Sequence, residues 1–180
     1  MRSLAMKIRP SAAAAACLAA AAIAMPAFAL DYPARKPGLW EIQTGDGGKG
    51  QGQGHTMQQC IDAVSDKSLR EMGQGMGKDM CSKQELRLDG GKLVMDSVCK
   101  IGNSTATSHA VMSGDFNSAY RMESKSSYNP PLMGRAEGTS VIEARWVGPC
   151  KADQKPGDMV MPNGMKMNVI DMMNNRPKRP

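Results

Sequence analysis

The sequence predicts an all-β fold: a mostly antiparallel meander forming a curved sheet or half-barrel, with one short α-helix. Three observations carry this. From Cys81 onward apolar and polar residues alternate with a period of two, and short turns rich in Gly, Asn and Asp separate the runs. Only one segment has convincing helical spacing. Once an N-terminal leader is set aside, four cysteines remain, an even number suited to crosslinking a sheet in an oxidising compartment.

The leader comes first in the chain. Residues 1–29 carry Arg2, Lys7 and Arg9 and no acid, then run through an alanine-dominated apolar stretch to Ala27-Phe28-Ala29. A basic start, a short apolar centre and a small-x-small end describe a secretory signal cleaved after Ala29. A lipoprotein reading at Cys17 is the weaker alternative, because Ala14 stands where such signals carry Leu. Removing 29 of 180 residues leaves Leu30–Pro180, with 20 basic against 17 acidic residues, a formal charge of +3. That field is too weak to argue for nucleic acid. No later segment approaches the roughly 20 apolar residues of a membrane helix. The mature chain is therefore expected to be soluble, without a transmembrane segment, and periplasmic or secreted. Residues 30–173 are read as a single domain, and 174–180 as a basic, disordered tail.

The elements follow in order. Leu30 to Lys36 is an irregular lead. Gly38 to Thr44 alternates, with Trp40, Ile42 and Thr44 on one face. Gly45 to Gly54 is a glycine-rich loop, and His55 to Cys60 a short strand. Ser65 to Met76 is the helix: Ser65 suits an N-cap, Leu69, Met72 and Met76 share a face, and Gly73, Gly75 and Gly77 are expected to end it. A hairpin is centred on Asp89-Gly90-Gly91. Gly102-Asn103 turns into Ser104–Ser113, and Ser113-Gly114-Asp115 turns into Phe116–Tyr128, with Phe116, Tyr120 and Met122 facing one way. Asn129-Pro130-Pro131 is expected to break that strand. Arg135–Val147 alternates again, with Ile142, Ala144 and Trp146 inside and Arg135, Glu137, Glu143 and Arg145 outside. Seven or eight such strands tend to curl, with the helix plugging one side.

Cys60, Cys81, Cys99 and Cys150 allow three connectivities. No C-x-x-C exists and the spacings are 21, 18 and 51, so disulfides are favoured over zinc. A three-residue loop sets Cys81 opposite Cys99. A Gly90-Gly91 loop matches Leu86 with Met95 and Leu88 with Leu93 but leaves Cys81 one residue out, an offset that a bulge absorbs. Cys81–Cys99 is the favoured pair, leaving Cys60–Cys150 to tie the early chain to the end of the last long strand.

Several residues carry a resemblance. Lys36-Pro37-Gly38-Leu39-Trp40-Glu41, Thr56-Met57-Gln58-Gln59-Cys60, Arg145-Trp146-Val147-Gly148-Pro149-Cys150 and Lys155-Pro156-Gly157-Asp158-Met159 resemble the pattern of a family of small exported bacterial proteins catalogued as domain of unknown function 3617. The likeness spans Lys36 to Met173. The loop Gly45–Gly54 departs from it, being rich in Gly and Gln where the family often carries Met and Pro. The resemblance implies export and a mostly antiparallel β fold. It brings no activity.

Catalytic patterns are thin. Gly45-Asp46-Gly47-Gly48-Lys49-Gly50 satisfies G-x-G-x-x-G, but no helix follows to make a dinucleotide site. Ser108 and His109 are adjacent and so point to opposite faces of a strand. The alternating acids and bases of residues 121–145 read as a solvated, ion-paired face. Phe28 leaves with the leader, and the six remaining aromatics are few for a stacking platform. No catalytic residue and no cofactor is assigned. One soft-ligand set stands out: Met159, Met161, Met165 and Met167 flank a Pro162-Asn163-Gly164 turn. As a hairpin, Met159 would face Met167 and Met161 would face Met165, placing four thioethers on one face, where copper(I) is the matching ion. A short helix from Asn168 is the rival arrangement, and plain packing the rival role. The expected function is an exported, non-enzymatic binding or accessory protein for a small ligand or another envelope protein; copper binding is the alternative.

Overall fold

The computed structural model describes residues 31–46 and 54–175. The expected leader, with Cys17 and the cleavage expected after Ala29, residues 47–50 of the glycine motif, and the expected tail from Arg176 to Pro180 lie outside the described residues. Among the described residues, nine antiparallel strands make one open sheet with two helices. They are β1 (Gly38–Asp46), β2 (His55–Ile61), α1 (Ala63–Met80), β3 (Cys81–Asp89), β4 (Lys92–Ile101), β5 (Ser104–Gly114), β6 (Ala119–Leu132), β7 (Arg135–Gly148), β8 (Asp158–Val160), β9 (Lys166–Asn168) and α2 (Val169–Asn174). The order across the sheet is β3-β4-β5-β6-β7-β1-β2-β8-β9. The five-strand meander from β3 to β7 therefore returns to pair with the first strand. The sheet does not close into a barrel, and the C-terminal hairpin takes the count past the expected seven or eight. Its edge β3 carries Lys83, Glu85 and Arg87, charges that discourage further strand pairing.

Register follows side-chain chemistry. Trp40 lies between Gln59 of β2 and Trp146 of β7, and Ile42 between Met57 and Ala144. These residues form the core: Trp40, Ile42, Ile61 and Ala144 are buried, with Met57, Leu69, Tyr120, Ile142 and Trp146 packed around them. The opposite face is wet, and Arg145–Glu41 (2.6 Å), Arg121–Glu123 (2.8 Å) and Arg121–Glu143 pair along it. The β3–β4 hairpin adopts the Gly90-Gly91 register, with Leu86 opposite Met95 and Leu88 opposite Leu93. An irregularity between Cys81 and Lys83 absorbs the extra residue, so Cys81 still faces Cys99. Both disulfides, Cys81–Cys99 and Cys60–Cys150, are present.

The helix departs from the sequence expectation at both ends. Its N-cap is Asp62 rather than Ser65. Asp62 Oδ1 accepts from the Ser65 N–H (2.8 Å) and the Asp62 N–H donates to Ser65 Oγ (2.9 Å), a reciprocal capping box. The three glycines do not end it. The helix runs through Gly73, Gly75 and Gly77 to Met80, and the Cys81 N–H donates to Gly77 O. Each interior glycine costs roughly 1 kcal/mol of helix propensity, but the helix is held at both ends, by β2 before it and by the disulfide-tied β3 after it.

Two strand boundaries also differ. Phe116 is not in β6; it sits in a 115–118 loop with φ 57°, although its ring still joins the core face, stacked on Tyr120 at 5.3 Å. Asn129-Pro130-Pro131 does not end β6, which continues to Leu132. Asn129 is the last residue paired with β5, and the β7 register breaks between Ser127 and Leu132, so neither proline is asked for a ladder hydrogen bond. Among the described residues no helix is long and apolar enough to cross a membrane.

Candidate functional site

The placement of α1 creates the site. The helix leaves β2 and must reach β3 at the far edge, six strand spacings away, or about 29 Å at the usual inter-strand distance. Its 18 residues span about 27 Å. α1 contacts β2, β3, β4 and α2, and Leu69 from its second turn packs on the core of Trp40, Ile42, Ile61 and Ala144. A cavity of about 330 Å³, open to solvent, lies beside Leu69 and Arg70 of that helix, within the range of small-molecule sites.

Its walls are apolar. Ile42, Met57 and Ile142 come from the sheet floor, Leu69 from the helix, and Met112, Phe116 and Tyr120 from the β5–β6 side. Phe116 is positioned by its loop. Asp115 Oδ1 accepts from the backbone N–H groups of Asn117 (2.9 Å), Ser118 (2.7 Å) and Ala119 (3.2 Å), and Oδ2 from the Ser118 hydroxyl (2.7 Å). Those bonds, led by the Ser118 backbone, hold the Asp115 carboxyl well below the usual carboxylate range. Lys36 N–H donates to Phe116 O (3.0 Å), tying this loop to the residues that precede β1.

The polar end is built by those same N-terminal residues and the first turns of α1. Asp66, 1% exposed, receives Arg35 Nε at 2.7 Å and lies 3.3 Å from Arg70 Nε, four residues along the helix. The Arg35 N–H also donates to Asp66 (3.1 Å), and Arg35 Nη1 donates to Gln59 Oε1 (2.9 Å). Arg70 Nη1 donates to Tyr32 O (2.9 Å) and to Asp31 (3.2 Å). Arg35, Arg70, Gln59, Tyr32 and Thr44 line the cavity; Asp66 does not. The guanidinium groups are held by Asp66, by Gln59 and by the chain at Asp31 and Tyr32. Tyr32 Oη donates to the sulfur of Met95 (2.8 Å), and burial, then Asp31, raises the phenol pKa.

The residues singled out from the sequence fall elsewhere. The four cysteines are in disulfides. The methionine hairpin adopts the expected register: Met159 faces Met167, and the Met161 N–H donates to Met165 O (2.8 Å). The rival helix also forms, after the hairpin, with Asn168 as its N-cap. The four side chains are not equivalent. Met159 is buried and its sulfur takes a long contact from Gln59 Nε2 (3.7 Å), whereas Met165 is exposed. Ser108 pairs with Ser126 (2.7 Å), while His109 holds Asp96 (2.7 Å) on the wet face. Arg35, Asp66 and Arg70 were missed by sequence reasoning. The Asp66–Arg70 spacing of four on a helix is the one local signal for them.

A protein-family model described as "Protein of unknown function (DUF3617)" matches residues 35–150. The match takes in β1 to β7, both disulfides and most of the cavity wall. It ends at Cys150, short of Met173, and leaves the methionine hairpin outside. No curated protein and no solved structure matches the chain.

Proposed function

The chain belongs to the DUF3617 family, and from that premise we propose that it is an exported, non-enzymatic protein that holds a small, largely apolar ligand under α1. The observation that carries this is the cavity itself: apolar side chains from five strands, a helix and a loop converge on it, beside the polar groups of Tyr32, Arg35, Thr44, Gln59 and Arg70. Among the described residues that line it, none is His, Cys, Ser, Asp or Glu, a lining suited to holding a molecule rather than transforming it. Two disulfides are compatible with a location outside the cytoplasm, as the leader expects. The test is native mass spectrometry of protein exported and purified under mild conditions, beside an Ile142→Trp variant whose larger ring fills the cavity. An organic passenger on the wild type and none on the variant supports the reading. Equal loading of both proteins defeats it.

The hairpin register favours a second reading, a soft-metal protein binding copper(I) through Met159, Met161, Met165 and Met167. Copper(I) retained by the wild type and lost when the four are changed to Leu would support it. A wild type that stays bare when copper(I) is offered would end it.

A further inference from the structure

We propose that residues 31–36 are a movable wall of the cavity: a strap that pivots on Arg35 and is latched at Asp31 to Arg70 and Gln74 of α1; this rests on the cavity reading above. The strap supplies Tyr32, Pro33 and Arg35 to the lining, yet belongs to no strand or helix. Among the described residues, its one bond from a main-chain N–H to a main-chain oxygen is Lys36 to Phe116 (3.0 Å), at the end nearest β1. Side chains hold the rest, and they hold its two ends unequally. At one end Arg35 meets Asp66 at 2.7 Å, with side chains 10% and 1% exposed. Breaking that pair would leave a buried charge without its partner, so this end is the pivot. At the other end Asp31, 62% exposed, accepts from Gln74 Nε2 (2.7 Å) and Arg70 Nη1 (3.2 Å). Exposed contacts of this kind are worth little and are readily lost to water. Between the ends, Tyr32 Oη donates to the sulfur of Met95 (2.8 Å), a weak acceptor.

The latch side of α1 is itself weak. Gln74 lies between Gly73 and Gly75. A Cβ at either glycine would meet no atom within 4 Å, and neither has a positive φ. Alanine would therefore fit both sites and favour the helix more. Packing explains Gly77, where a Cβ would run into the Gln84 side chain, but not these two. A loose turn explains them: it lets Asp31 go while β2 and β3 keep the ends of the helix in place. The charges of Arg35, Asp66, Arg70 and Asp31 pair among themselves to fasten the strap.

The experiment mixes the exported protein by stopped flow with N-phenyl-1-naphthylamine, an uncharged apolar dye whose fluorescence rises out of water. Asp31→Ala removes the latch without touching the lining and should speed uptake and release together. Gly73→Ala combined with Gly75→Ala should slow both by about fourfold to thirtyfold, the range by which two such exchanges stabilise a helical turn. In both variants the dissociation constant should move much less than the rates. Rates unchanged in both would overturn the strap and leave the cavity reading standing. A wild type that takes up no dye would overturn both. Hydrogen exchange of the free protein is the second readout, and it needs no Asp31 variant. Wild-type amides 72–76 should exchange faster than amides 66–70, and the alanine pair should remove the difference. Equal exchange in the wild type would show no loose turn and overturn the proposal.

Discussion

The indole N–H of Trp146 donates to the carbonyl oxygen of Pro37 at 3.0 Å, joining residues 109 positions apart. The bond is one of a set. Lys36 Nζ lies 3.6 Å from the centre of the Trp146 ring, the Trp40 indole donates to Lys36 O (2.8 Å), and Arg145 pairs with Glu41. The segment that opens the family match and the one that closes it are therefore a single structural unit. That unit holds the chain just before β1, where Arg35 reaches the cavity.

Gly38 is the position in this unit that tolerates least. It has φ 131°, and a Cβ there would stand 2.4 Å from both Gly148 O and Trp146 Nε1. Gly38→Ala should lose about 2 kcal/mol or more, read as a lower denaturant midpoint. A midpoint equal to the wild type would show that the two segments can part without cost.

The two disulfides should differ in weight. Cys60–Cys150 closes a loop of sequence separation 90 and Cys81–Cys99 one of 18. On the chain-entropy account, changing the first pair to Ser should cost roughly 4 kcal/mol and the second about 3. Thermal melts of the two double variants should rank in that order; the reverse ranking would contradict the account.

The Asp115 turn makes stability depend on acid. Its folded pKa is depressed, so its contribution is full above the unfolded value of about 3.9 and is lost as pH falls below that value toward the folded one. The stability gap between wild type and Asp115→Asn should be constant near neutral pH and shrink below about pH 4. Phe116 fluorescence is weak, so denaturant midpoints at pH 7 and pH 3 are the measurement. A gap that does not change with pH would place the role of Asp115 elsewhere.

The cap of α1 is testable in the same way. Asp62→Ala removes the acceptor for the Ser65 N–H and should cost about 1 kcal/mol. The cavity polar end lies one turn on, so this variant should also weaken ligand retention. Normal stability in Asp62→Ala would mean that the packing of Ser65 and Asp66, both buried, fixes the helix start without the cap.

Much of the sheet was legible because strand chemistry is local. Alternation placed Trp40 and Ile42, Ile142 and Ala144 on the buried face, and the Gly90-Gly91 and Pro162-Asn163-Gly164 turns set their hairpin registers. The misreadings share a cause. Three glycines and two prolines read locally as stops, yet Gly73 to Gly77 lie in a helix held from both ends, and Pro130 and Pro131 fall where no partner needs their N–H. Phe116 reached the core face by a loop rather than by strand period.

By itself, then, the sequence determined the fold class and the position of the hairpin turns and favoured the cysteine pairing, because these rest on side chains within a few residues or on counting; the structure decided between the two registers and among the three pairings. The tertiary structure alone decided which residues line the cavity. Arg35, Gln59, Asp66 and Arg70 come from the lead to β1, from β2 and from α1, and no spacing rule relates the three. They meet because α1 crosses from β2 to β3 over the sheet and the residues before β1 pack against its first turns, a contact that only the assembled layers produce.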